Sequence, residues 1–97
     1  MREAKISAEI QGKIVGIACD REHHRILYVV SEVNGEGKLW GFTKGSLYDL
    51  SQIAKVTPKS LIIPYFSPAV NSQIVIVEPD QNFLRIYEHN MLVDASG

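Results

Sequence analysis

The chain has 97 residues and one cysteine, with 10 basic against 11 acidic side chains for a net charge of −1. That length suits one small domain with a single core, and 45% hydrophobic with 22% charged residues describes a globular chain rather than a disordered tail. One cysteine excludes an internal disulfide scaffold and a Cys-rich zinc module, no apolar run approaches the roughly 18 residues of a membrane span, and the basic residues are spread singly, so no nucleic-acid footprint is expected.

Met1-Arg2-Glu3-Ala4-Lys5 leads into no apolar stretch, so no secretory leader is expected and a cytoplasmic or other reducing compartment is the default. Ile14 to Cys19 is a short apolar run, followed by the polar turn Asp20 to Arg25. Ile26-Leu27-Tyr28-Val29-Val30 is rich in β-branched and aromatic residues, as strands are. Asn34-Gly35-Glu36-Gly37 reads as a turn that needs positive φ. Lys38 to Phe42 alternates polar and apolar, as a half-buried strand does. Lys44-Gly45-Ser46 is another turn. The segment 47–56 stays open between a short helix, on the spacing of Leu47, Leu50, Ile53 and Ala54, and an irregular outer strand. Pro58 ends it either way, because it pushes Thr57 out of the helical region.

Leu61 to Phe66 is again apolar, and Ser67 to Ser72 is a turn. Ile74-Val75-Ile76-Val77 is a strong strand with both faces apolar, hence central. Pro79 to Asn82 is a turn, Phe83 to Tyr87 another alternating strand, and Met91-Leu92-Val93 a last short one. Short strands with turns every eight to twelve residues predict an all-β domain spanning 1–97.

The two halves align. Ile14 matches Leu61 and Leu27 matches Ile74 at an offset of 47, and Leu39 matches Leu84 and Phe42 matches Tyr87 at an offset of 45. The difference is one longer loop, Glu32 to Gly37 against Pro79 to Asn82. Self-similarity at about 45 residues with about four strands is the period of a propeller blade, so blade-like repeats are expected over about 13–56 and 60–93.

The stretch Phe66-Ser67-Pro68 through Ile74-Val75-Ile76-Val77 to Asp80 and Tyr87 resembles one blade of a WD-repeat-type β-propeller, with Tyr87-Glu88 standing at the place of the family's Trp-Asp. Gly16 to Val30 and Lys38 to Phe42 resemble a second, looser blade, and Lys5 to Ile10 an outer strand of a preceding one. The resemblance implies antiparallel four-stranded meanders and a role in protein–protein interaction. Gly12-Lys13-Ile14-Val15-Gly16 and Leu61-Ile62-Ile63-Pro64-Tyr65 are also similar to PRC-barrel domains, which implies a small closed barrel serving assembly or RNA processing.

Chemistry-bearing constellations are sparse. Cys19, Asp20, His23 and His24 suggest a metal site, but adjacent histidines on an extended turn point apart, and Cys19 reads as buried filler at the end of a strand. No Gly-x-Ser-x-Gly elbow or phosphate loop is present. No catalytic residue, cofactor or metal is therefore assigned, and no enzyme activity is expected. Trp40 and Phe42 share a strand face and read as packing between sheets; an exposed Trp40 would instead suit a sugar-binding oligomeric propeller. Two blades cannot close a ring, so the expected partner is a protein or a second copy, neither nucleic acid nor membrane. The candidate contacts are His23, His24, Asn34, Glu36, Asp80, Asn82 and Trp40.

Overall fold

A computed structural model describes residues 9–20, 26–65, 73–82 and 84–88. The expected all-β class holds. Strands β1 (Lys13–Asp20), β2 (Ile26–Val33), β3 (Glu36–Thr43) and β4 (Ser46–Asp49) form one antiparallel meander, here called sheet 1. Strands β5 (Leu61–Tyr65), β6 (Gln73–Val77) and β7 (Leu84–Glu88) form a second, sheet 2, with β6 in the centre. The alternative of a single closed barrel is not adopted: among the described residues the strands divide between two sheets, because the segment after β4 leaves the sheet instead of pairing onward. The strands expected over 5–10 and 91–93 lie at or beyond the edge of the described residues.

Sheet 1 is laid down by two tight hairpins. Asn34 (φ 53°) and Gly35 (φ 82°) link β2 to β3, and Lys44 (φ 51°) and Gly45 (φ 77°) link β3 to β4. Two consecutive left-handed residues match the right-handed twist of the strands that they join. In β1 the register slips between Ile14 and Gly16, so Val15 is an extra residue and the alternation of faces inverts there.

The core fills the space between the sheets. Ile26, Tyr28 and Val30 of β2 and Leu39 of β3 meet Ile74 and Ile76 of β6, and all six are at most 1% exposed. Burial, and then the negative charge of Asp20, push the Tyr28 hydroxyl well above its ordinary pKa. The segment 47–56 resolves as β4 followed by one tight turn, with Ile53 N–H and Ala54 N–H donating to Leu50 C=O at 3.0 and 3.2 Å. Neither a helix nor a long strand forms, because Leu50, Ala54 and Val56 must all reach the core from the connector. At Gly37 the connector backbone lies directly on β3; a Cβ there would stand 2.5 Å from Val56 O and 2.6 Å from Thr57 C.

Two expectations about facing are corrected, and β7 alternates as expected. Trp40 and Phe42 pair with Val29 and Leu27, on the face of sheet 1 turned away from the core, because Leu39 takes the inward position beside Val30. Cys19 is exposed rather than buried, since β1 is an edge strand and Cys19 shares the outer face with Leu27. In β7 the alternation runs opposite to polarity. Arg85 and Tyr87 pair with the core residues Ile76 and Ile74, whereas Leu84 and Ile86 point outward at 59% and 58% exposure.

Candidate functional site

Each sheet has a second apolar face. On sheet 2 the residues turned from the core are Leu61 and Ile63 of β5, Val75 and Val77 of β6, and Leu84 and Ile86 of β7, joined in register as Leu61–Val77–Leu84 and Ile63–Val75–Ile86. The four on the flanking strands are between 50% and 59% exposed. On sheet 1 the outer rows are Ile17–Val29–Trp40–Asp49 and Cys19–Leu27–Phe42–Leu47. Ile17 is 67% exposed and Leu27, Trp40, Phe42 and Leu47 are half-buried, while Val29 at the centre of its row is 3% exposed. Exposed Ile14 adds to the same face beside Ser31. An ordinary sheet surface alternates to polar residues outside; here strands with β-branched and aliphatic residues on both faces give two surfaces of a kind found inside proteins.

One corner of the sheet 1 face is polar. Trp40 Nε1–H donates to Ser31 Oγ at 2.8 Å, and Lys38 Nζ lies 4.8 Å from the centre of the indole ring. Lys38 also pairs with Asp49 at 3.2 Å and donates to Gln11 Oε1 at 3.3 Å. Burial works against the Asp49 charge, but hydrogen bonds from Ser51 and Lys38 and the lysine's charge outweigh it and hold the carboxyl below its usual range. The indole's one donor is thus committed within the chain, and a cation already sits against its ring.

The other candidate contacts fall elsewhere. Asn34 and Glu36 are exposed at the β2–β3 turn, and Asp80 and Asn82 are exposed at the β6–β7 turn. Both turns lie at the same end of the molecule: Thr57 of the connector is packed near Gly37 and bonds Glu78, which adjoins the β6–β7 turn. A groove of about 470 Å³ runs there between the β2–β3 turn and the connector, with Leu39, Ala54 and Val56 at its base and Glu36 and Lys55 at its rim. His23 and His24 lie outside the described residues, so the histidine part of the metal constellation is not placed. Among the described residues no group of three or more His, Cys, Asp or Glu is gathered as a metal site requires.

Behind that end sits a buried charge. Glu78 is 6% exposed and its carboxylate accepts from Thr57 Oγ1 at 2.9 Å, from Ser60 Oγ at 2.5 Å and from the Arg85 guanidinium. Burial raises the carboxyl pKa, but the Ser60 and Thr57 hydroxyls and the Arg85 charge more than offset it, so Glu78 stays ionised below the usual carboxylate range. The two hydroxyl bonds from Thr57 and Ser60 tie the connector to the end of β6, and the Arg85 bond ties the same carboxylate to β7, so the group acts as a structural clamp. A carboxylate that closes an apolar strand, with an arginine inside the next strand, is the sequence signal that could have revealed it.

The outer faces gather Ile17, Leu61, Ile63, Leu84 and Ile86, none of which was among the expected contacts; of those described, only Trp40 lies on an outer face. The chemistry of these aliphatic side chains is apolar contact. Compared with protein families, curated proteins and solved structures, the chain matches none.

Proposed function

We propose that the chain is a non-catalytic protein–protein interaction or assembly module, built as two propeller-blade-like sheets and completed by self-association or a protein partner. The observation that carries this reading is the exposure of large aliphatic side chains on the outer face of both sheets, from Ile17 on one to Leu61, Ile63, Leu84 and Ile86 on the other. Large aliphatic side chains that stand exposed beside one another on a sheet face, rather than scattered singly, are the kind of surface that marks a protein contact site. The two three-stranded meanders β1–β3 and β5–β7, related by sequence offsets of 47 and 45, support the blade-like part of the reading.

A photo-activated crosslinking residue tests it when placed at Ile17, at Ile86 and, as a control, at Lys44 in the β3–β4 turn. Expression in cells followed by irradiation is expected to give discrete protein adducts from the two face positions and none from the turn. Folded variants that give no protein adduct from either face overturn the reading.

A further inference from the structure

Resting on that reading, we infer that the partner is a second copy of this chain, docked head to tail: the outer face of sheet 2 in one copy covers the outer face of sheet 1 in the next. The inference comes from how the internal repeat is oriented. Had a two-fold axis related the two sheets across the core, aligned residues would both face the core or both face away. They do the opposite. Leu39 is fully buried in the core, while its counterpart Leu84 is 59% exposed. Ile74 is in the core, while Leu27 lies on the outer face. Tyr87 packs against the core, while Phe42 lies outside it on the row of Leu27. Only Ile14 and Leu61 are alike in being exposed, and Ile14 precedes the β1 bulge that inverts the alternation. Beyond the bulge, outward Ile17 again matches inward Pro64, which pairs with Ile74.

A repeat that sends one member inside and the other outside is a rotational repeat, in which equivalent residues face the same way around an axis. It makes the outer face of sheet 2 the counterpart of the inner face of sheet 1, and the outer face of sheet 1 the counterpart of the inner face of sheet 2. The two inner faces already pack together within the chain. The two outer faces are therefore complementary to each other in the same sense, each the match of the other and not of itself.

The sheets also converge on one side. Between sheets 1 and 2 the most extensive strand-to-strand approach is that of their first strands, β1 and β5. Successive copies continue that fan about an axis beside these strands, and closure comes at about two to four copies, since such rings take about four to eight sheets. An arrangement that did not close would grow into filaments, the other outcome of a heterologous contact.

The test uses the full chain. Light scattering after size exclusion at micromolar concentration is expected to give a defined multiple of the 10.8 kDa chain mass. Ile17→Glu blocks one face and Ile86→Glu the other, and each variant alone is expected to run as a monomer with the parent's far-UV circular dichroism. Mixed in equal amounts, they are expected to form a dimer and nothing larger, because each supplies the face that the other lacks. In a Cys19→Ser background, chains carrying Ile17→Cys mixed with chains carrying Ile86→Cys are expected to form the mixed disulfide in preference to either homodimer. A parent chain that is folded and monomeric overturns the inference. So does a mixture of the two glutamate variants that stays monomeric, or a disulfide that forms mainly between like positions. If the parent is monomeric yet the faces crosslink to a different protein in cells, the assembly reading stands and the second-copy inference falls; if neither occurs, both fall.

Discussion

At Glu78 a carboxylate leaves the end of β6 and ends almost fully buried, held by two hydroxyls and a guanidinium. Removing one partner of such a group leaves the others desolvated and unpaired. Glu78→Gln keeps the shape but strands Arg85 without its counter-charge, and is expected to cost about 2 kcal/mol at neutral pH in urea unfolding. The pH dependence has a definite sign. Folded Glu78 binds its proton more weakly than it does in the unfolded chain. Its stabilisation is therefore complete above the unfolded value of about 4.3 and disappears as pH falls through the lower folded value. The stability gap between parent and Glu78→Gln should narrow over that acid range; a constant gap would mean that charge is not what the site contributes. Gly37 sets a different kind of limit. A Cβ there collides with the backbone of Val56 and Thr57, not with a side chain that can swing away. Gly37→Ala is expected to lose about 1–3 kcal/mol in the same assay by forcing the connector off β3.

Strand existence was legible because local chemistry decides it. β-branched runs and glycine turns mark β2, β3 and β6 wherever they end up packed. Facing was much less legible. Period-two alternation says that Trp40 and Phe42 share a side, yet it names the inner side only when the other side is polar. In β3 the opposite side carries Leu39, and in β7 the more apolar residues Leu84 and Ile86 point outward. The connector was illegible for another reason. Leu50, Ala54 and Val56 enter the core at spacings of four and two, which fit no single period. Turn chemistry allows a prediction in the stabilising direction. Lys44 occupies the first left-handed position of the β3–β4 hairpin at φ 51°, where an L side chain other than Asn or Asp is strained. Its neighbour Gly45 already suits the second position. Lys44→Asn is expected to raise stability by roughly 0.5 kcal/mol, read as a higher urea midpoint at unchanged slope. A midpoint that falls would mean that the lysine makes a contact in this turn worth more than the relieved strain.

Across the whole molecule, the two sheets share one core instead of each enclosing its own. Among the described residues, Ile74 and Ile76 bury against an apolar layer supplied chiefly by β2, β3 and the connector. The connector is as much a part of that core as the strands, with Leu50 fully buried and hydrogen-bonded through its N–H to Leu39 C=O at 2.9 Å. Unfolding should therefore be a single cooperative event even though no strand of sheet 1 belongs to the ladder of sheet 2. Leu50→Ala tests that coupling, because it opens a cavity that belongs to neither sheet alone. It is expected to cost about 3 kcal/mol. The loss should shift the transition seen by Trp40 fluorescence, on the far side of sheet 1, by as much as the transition seen by far-UV circular dichroism, which also senses sheet 2. Coincident curves with a common midpoint follow if the connector welds the sheets into one unit. If Leu50→Ala splits them into two transitions, the sheets are separable bodies, and contact between them is then no more intimate than the contacts proposed for their outer faces.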